Sequence, residues 1–318
     1  ALRSLFYMRS AKREELFFLR LPPLPLGIVG MAAKKLYRCK VLVNVQDIYP
    51  DFAIEAGILK NRLLIRLAKA LERRIYDAAD HIIVISEDFK RNLSGKGVKD
   101  EKITVISNWV DTDTIQPLKK NNLLASRMGL NDKFVVMYAG SITFTNQKTL
   151  SGLLKVAERL REMRDIIFVF MGEGLKKKML QEEAASLGLA NLQFFPFVAY
   201  ADLSQALAAS DILVVPQDDA QKEFSVPSKC YTFMAAGRPL LVLGESSSEV
   251  SNMVRDADAG ICLSPIQDDT IAAALVKFKD TPEKCRQWGE NARRYALAHF
   301  SREKVLRQYQ ECIAALSR

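Results

Sequence analysis

Short runs rich in valine and isoleucine recur along this chain, and stretches of helical length separate them. The runs fall at residues 16–19, 41–45, 81–85, 103–106, 134–139, 167–171, 211–215 and 239–243. Most show little apolar–polar alternation, as expected of parallel strands buried on both faces. The intervening stretches at 63–78, 149–164, 175–186, 203–208, 228–236 and 269–278 carry helical periodicity. Strands that alternate with helices need crossover connections, so the pattern predicts α/β architecture with doubly wound parallel sheets. Residues 107–122, SNWVDTDTIQPLKKNN, are polar and aperiodic and contain Pro117, so they read as an interdomain linker. The expected layout is a first domain over 1–115, a second over 120–299, and a last helix, 301–318, that joins the first.

Composition narrows the chemistry. The 318 residues suffice for two such domains. Cys39, Cys230, Cys262, Cys285 and Cys312 are scattered without a CxxC, which argues against a zinc site or a disulfide framework and fits a reducing, cytoplasmic compartment. With only His81 and His299, a serine–histidine–aspartate triad or a multi-histidine metal site is excluded in practice. Both histidines read as structural. A net charge of +9 suits anionic partners, but no nucleic-acid-binding signature accompanies it. The longest apolar run, 21–33, holds three prolines and two glycines and cannot span a bilayer as a helix.

The strongest local signal is VPSKCYTFMAAGRPLLVL at 226–243. Pro227 stands where a helix would begin, and Ser228 is a suitable capping residue. Lys229 falls in the first turn, where a cation opposes the helix dipole unless an anion sits there. A bound diphosphate is one such anion; an ordinary helix–turn–strand unit with an incidental lysine is the simpler alternative. Two glycine loops follow strands: Gly140 and Ser141 after FVVMYA, and Gly172, Glu173 and Gly174 after IIFVFM. Ligands of open α/β sheets bind beyond the carboxyl ends of strands. Neither loop is a GxGxxG fingerprint, and no phosphate-binding Walker sequence is present. In VNVQDIYPDFAIEAG, 43–57, Asp47 stands at the carboxyl edge of a strand, where a carboxylate can position a hydroxyl or take its proton. Asp51 suits a helix start, and Glu55 is a weaker candidate.

Taken in order, PPLPLG, VQDIYPD, AADHIIVIS, ISNWVD, YAGS, FVFMGEG, ASDILVVP and PSKCYTFMAAGRP resemble family 4 of the GT-B glycosyltransferases, in particular the bacterial subgroup that builds O-antigen, capsule and colanic-acid-type polysaccharides. The resemblance covers nearly the whole chain. It implies two Rossmann-like domains, a nucleoside-diphosphate sugar (UDP- or GDP-linked) on the second, and the acceptor on the first. It implies retention of anomeric configuration and no cofactor or metal, because basic residues and a helix dipole stabilise the departing diphosphate.

Residue by residue, the resemblance assigns Gly140 and Ser141 to the diphosphate loop, with Gln147 or Lys148 in place of its usual arginine and lysine. It assigns Gly172, Glu173 and Gly174 to the second loop, and Phe197 and Val198 to the base. Pro227, Ser228 and Lys229 follow the subgroup's PSK pattern. Where the family often has two glutamates, this chain has Phe224 beside Glu223, and then Thr232. Asp47 takes the catalytic position.

The resemblance also implies about 80–100 residues before PPLPLG for a whole first domain, so that domain is expected to be incomplete, its open edge covered by a partner chain or a second copy. The expected activity is transfer of a hexose or N-acetylated amino sugar from the nucleotide to a polyprenyl-diphosphate-linked saccharide. A catalytically inactive nucleotide-sugar-binding subunit and a GT-B sugar-nucleotide epimerase are the alternatives. Arg3, Arg9, Lys12 and Arg13, among Leu2, Leu5, Phe6, Tyr7 and Met8, suggest peripheral contact with an anionic membrane surface. A surface helix packed on the first sheet reads as readily.

Overall fold

The computed structural model describes residues 16–217, 224 and 226–316. Glu223 and the basic segment at 1–13 lie outside the described residues. The chain divides into two compact units: 1–108 with 223–226 and 303–318, and 109–222 with 227–302.

In the first unit, β1 (Leu16–Leu21), β2 (Lys40–Val45), β3 (His81–Val84) and β4 (Ile103–Val105) form a parallel sheet in that order. The crossovers carry α1 (Leu26–Tyr37), α2 (Asp51–Glu55), α3 (Arg62–Ala78) and α4 (Glu87–Gly95). Local chemistry starts the last two. The Asn61 side chain accepts from the amides of Leu63 and Leu64, and that of Ser86 from Phe89, satisfying donors that a helix start leaves open.

The second unit contains α5 (Leu123–Arg127), β5 (Phe134–Ala139), α6 (Gln147–Arg159), β6 (Ile166–Met171), α7 (Lys177–Ser186), β7 (Leu192–Phe195), α8 (Leu203–Ala208), β8 (Ile212–Pro216), α9 (Lys229–Ala235), β9 (Leu240–Leu243), α10 (Glu249–Asp256), β10 (Gly260–Leu263), α11 (Asp268–Asp280) and α12 (Pro282–Phe300). Its sheet is parallel throughout, in the order β10-β9-β8-β5-β6-β7. Every residue of β6 and β8 is buried, consistent with their unbroken apolar runs. Val136, Tyr138, Leu153, Phe168, Phe170 and Leu241 belong to the core that α6, α7 and α11 close. The final helix, α13 (Arg302–Leu316), buries Val305 against Leu42 and Ile83 of the first unit's sheet and Ile106 just beyond β4.

Several expectations need correction. Strands β7 and β10 carry no unbroken Val/Ile run, and helices α1, α4, α5, α10 and α12 lie where no helix is expected. The apolar run at 21–33 divides: Leu21 ends β1 and Leu26 opens α1. The division between the units falls at 108/109, inside the expected linker 107–122, which is locally ordered: Ile115 is fully buried and Asp111 accepts from the amides of Asp113 and Thr114. Ser228 makes no capping hydrogen bond. Asp51 caps nothing either; it is the first helical residue, and its carboxylate pairs with Lys96 at 2.5 Å. Among the described residues no helix is long and apolar enough to cross a membrane.

Candidate functional site

All six strands of the second unit run the same way, so their carboxyl ends share one edge. The chain order reverses between β5 and β8: β5 leads to β6 on one side, and β8 leads through α9 to β9 on the other. Such a reversal parts the two loops and opens a crevice at the strand ends. The residues at this point come from the loop after β5 and from the start of α9.

Glycine makes the loops possible. The Gly140 amide donates to Met171 O at 2.9 Å and the Ile142 amide to Glu173 O at 2.8 Å, lacing the loop after β5 to the loop after β6. A Cβ on Gly172 would stand 1.9 Å from Gly140 O, and one on Gly174 would stand 2.1 Å from Ile142 O. Both also hold positive φ, 159° and 150°. A side chain at either position collides with backbone that cannot give way.

Against this platform lies Lys229. Its Nζ donates to Tyr138 Oη at 2.9 Å and stands 4.2 Å from the centre of that ring. A Cβ on Gly140 would approach the same Nζ to 3.0 Å, so glycine leaves the ammonium room beside the loop backbone. Tyr138 Oη also accepts from Asn146 Nδ2 at 2.8 Å and donates to Ser141 O at 2.5 Å. Asn146 binds Ser141 O as well, and its Oδ1 accepts from the Thr143 amide at 3.0 Å. Among the described residues no carboxylate pairs with Lys229. Burial lowers its ammonium to about 8 and pushes the Tyr138 phenol above its usual range. The result is a half-buried cation with no carboxylate paired to it among the described residues, set beside a bare glycine loop at the sheet's switch point, an arrangement that favours an incoming anion.

The other expected donor residues share this edge. Ser141 is exposed, and its carbonyl is the hub of the network above. Phe197 is exposed and Val198 half-buried just beyond the end of β7. Pro227 is buried and Ser228 exposed at the entrance to α9, and Thr232 is half-buried within it. The Glu173 carboxylate pairs with Lys177 at 2.6 Å, while its carbonyl serves the loop lacing. Gln147 and Lys148 open α6 and, with Gln217, Gly244 and Glu245, line a cavity of about 720 Å³ on the same edge. A larger cavity, about 820 Å³, lies at the opposite end, where Phe134, Asp211 and Pro239 begin or precede their strands.

In the first unit Asp47 is half-buried two residues beyond β2. Its carboxylate adds to the burial that raises the Tyr49 phenol. Asn44 and Gln46 beside it are buried and joined: Gln46 Nε2 donates to Asn44 Oδ1 at 2.8 Å, and Asn44 Nδ2 to Tyr309 Oη on α13 at 2.7 Å. Glu55 is exposed at the end of α2. His81 meets Thr104 Oγ1 at 2.8 Å and His299 stacks on Tyr295, both packing roles. Among the described residues no three His, Cys, Asp or Glu side chains gather closely enough to hold a metal.

Sequence reasoning missed Tyr138 and Asn146. Tyr138 reads as one more apolar strand residue in FVVMYA, although a hydroxyl at the last turn before a glycine was a usable signal.

Comparison with known proteins agrees with this architecture. Residues 126–295 match the family described as Glycosyl transferases group 1, and residues 22–114 match Glycosyltransferase Family 4. The chain is 26% identical over 282 residues to WcaI of Escherichia coli (strain K12), named as a colanic acid biosynthesis glycosyl transferase, covering 86% of this chain and 68% of that protein. It is 24% identical over 281 residues to WbjE of Pseudomonas aeruginosa, named as a glycosyltransferase, covering 87% and 68%. The crystal structure of Anabaena Alr3699/HepE in complex with UDP superposes with a TM-score of 0.80 at 18% identity, over 99% of this chain and 82% of that one, a likeness of fold. With the first of these families spanning more than half of its length, this chain belongs to the group 1 glycosyl transferases and is a family 4 glycosyltransferase of GT-B fold.

Proposed function

We propose that the enzyme transfers a sugar from a UDP-sugar to a lipid-linked saccharide at the cytoplasmic face of a membrane, in the synthesis of a cell-surface polysaccharide. The observation that carries the donor half is the Lys229 ammonium, set against Gly140 at the switch point with no carboxylate paired to it among the described residues. A diphosphate there gains a charge-assisted hydrogen bond from Lys229 and approaches a loop backbone that no Cβ obstructs. As the sugar–phosphate bond breaks, negative charge grows on the β-phosphate, and a cation already held in place beside it stabilises that charge. The chemistry then needs no divalent ion. Retention of anomeric configuration is part of the reading. The names of the relatives, one of them for colanic acid biosynthesis, support the polysaccharide. Asp47 is assigned to the acceptor, orienting the attacking hydroxyl or receiving its proton.

The test is UDP release from UDP-sugars, with GDP-sugars in parallel, in the presence of a polyprenyl-diphosphate-linked saccharide and with EDTA in every assay. Acceptor-dependent release unaffected by EDTA is expected. Binding without release identifies an inactive binding protein; conversion of the donor without acceptor identifies an epimerase. Loss of release in EDTA with recovery on manganese overturns the metal-free chemistry.

A further inference from the structure

The cavity of about 820 Å³ at the opposite end of the second unit's sheet has no part in the donor chemistry. One wall is a face of α12: Pro282, Cys285, Gly289, Arg293 and Leu297 recur every three or four residues and so lie in a line along the helix. Pro117, Phe134 and Pro239 add to an apolar lining, and Leu297 is 45% exposed. A cavity of this size suits a small molecule, whose sites run from about 300 to 1,000 Å³ and are mostly apolar with a few placed polar groups.

The polar groups of this lining are cationic in balance. Lys279 is neutralised by Asp165 at 2.6 Å and Arg286 by Glu283, while the lining carboxylate of Asp211 is neutralised by Lys120 at 2.5 Å. Arg238, Arg293 and Arg294 then remain without a paired carboxylate among the described residues, and Glu290, exposed, is the lining carboxylate left against them. Arg238 Nη2 donates to Leu118 O and Ala208 O, both at 2.7 Å. Arg293 donates to Ile115 O at 2.7 Å, Ala235 O at 2.9 Å and Thr112 O at 3.0 Å, and Arg294 donates to the side-chain carbonyl of Asn291. All these partners are neutral. They satisfy donors and leave the charge uncancelled. Burial disfavours the charged forms of Arg238 and Arg293, and an anion beside them offsets that cost. The bonds to loop carbonyls explain why both arginines are present, but they leave the space beside them open.

We infer that this cavity is a second ligand site, for a small amphipathic anion: a carboxylate or phosphate head set against Arg238, Arg293 and Arg294, and an apolar body along Phe134, Pro239 and Leu297. The site lies wholly within the second unit and needs neither the donor nor any sugar chemistry.

The experiment is calorimetric titration of the full chain with decanoate, with decyl phosphate and with 1-decanol as the uncharged control, all below micelle formation. One anion is expected to bind per chain, and 1-decanol at least about tenfold more weakly. The tighter of the two anions identifies the head group. Two variants accompany the wild type, Arg294→Glu and Ala298→Trp. Both residues line the cavity and are exposed, so the fold should survive, and thermal melting checks that. The first sets a like charge beside the head and the second fills space, so each should weaken both anions by at least about tenfold. Binding of neither anion by the wild type, equal binding of 1-decanol, or variants that bind like the wild type overturns the proposal. So does displacement of decanoate by UDP, since the anion then occupies the crevice at the other end of the sheet. UDP affinity is expected to be the same in both variants as in the wild type; a wild type that takes decanoate and not UDP refutes the donor reading alone.

Discussion

The Lys229 ammonium donates to the Tyr138 hydroxyl at 2.9 Å while lying over the same ring, so one buried tyrosine supplies both a hydrogen bond and a π face to a cation without a described carboxylate. This contact turns the glycine loop after β5 from a turn into a binding platform. An anion entering here replaces a weak neutral partner with a charged one.

Lys229→Met should therefore weaken UDP binding by about 1.5–3 kcal/mol, the scale of a hydrogen bond to a charged group. Calorimetric titration measures it. Equal affinity in the two proteins would mean that the lysine serves only packing.

The same lysine predicts a pH dependence. Burial holds its ammonium near 8, below its ordinary value, and an anion binds the protonated form. Above pH 8 the free protein has shed that proton and must recover it on binding, so UDP affinity should fall by up to about tenfold between pH 7 and 9. Lys229→Met should flatten the profile over that range. A wild-type profile as flat as the variant's contradicts the assignment.

Gly172→Ala tests the lacing of the loops. The added methyl meets Gly140 O and must also adopt positive φ, so stability should drop by about 2–5 kcal/mol. Denaturant unfolding reports the drop, and UDP binding should decline with it. Wild-type stability would show that the loops part freely.

In the first unit Lys96 bridges Asp51 at 2.5 Å and the buried Glu72 at 2.6 Å. Burial raises the Glu72 carboxyl, and Lys96 opposes that rise. Lys96→Met leaves a buried carboxylate unpaired and should cost about 1–3 kcal/mol at neutral pH, discounted because the lysine is partly exposed. With the carboxyl raised further, protonation relieves the strain, so the deficit should shrink as pH falls. Unfolding at pH 5 and pH 7.5 measures this; an equal deficit at both assigns the loss to packing.

Much was legible in the chain itself. The unbroken Val/Ile runs of β5, β6 and β8 announced parallel strands because burial on both faces leaves no polar position to interrupt them. Strands β7 and β10 escaped because they lie at the two edges of the sheet, where half-buried residues such as Gln193 and Gly260 dilute the apolar signal. Gly140, Gly172 and Lys229 were readable as residue types in suggestive places. Tertiary structure alone decided that Gly172 must lack a side chain, since the atom it would strike belongs to a loop thirty-two residues away. It also decided that Tyr138 turns its hydroxyl to Lys229 across ninety-one residues of chain, and that burial there lowers the lysine's pKa. Local sequence sets the period of burial and the start of each helix. Which side chains meet at a strand's end depends on sheet order, and sheet order is settled by packing among elements distant in sequence.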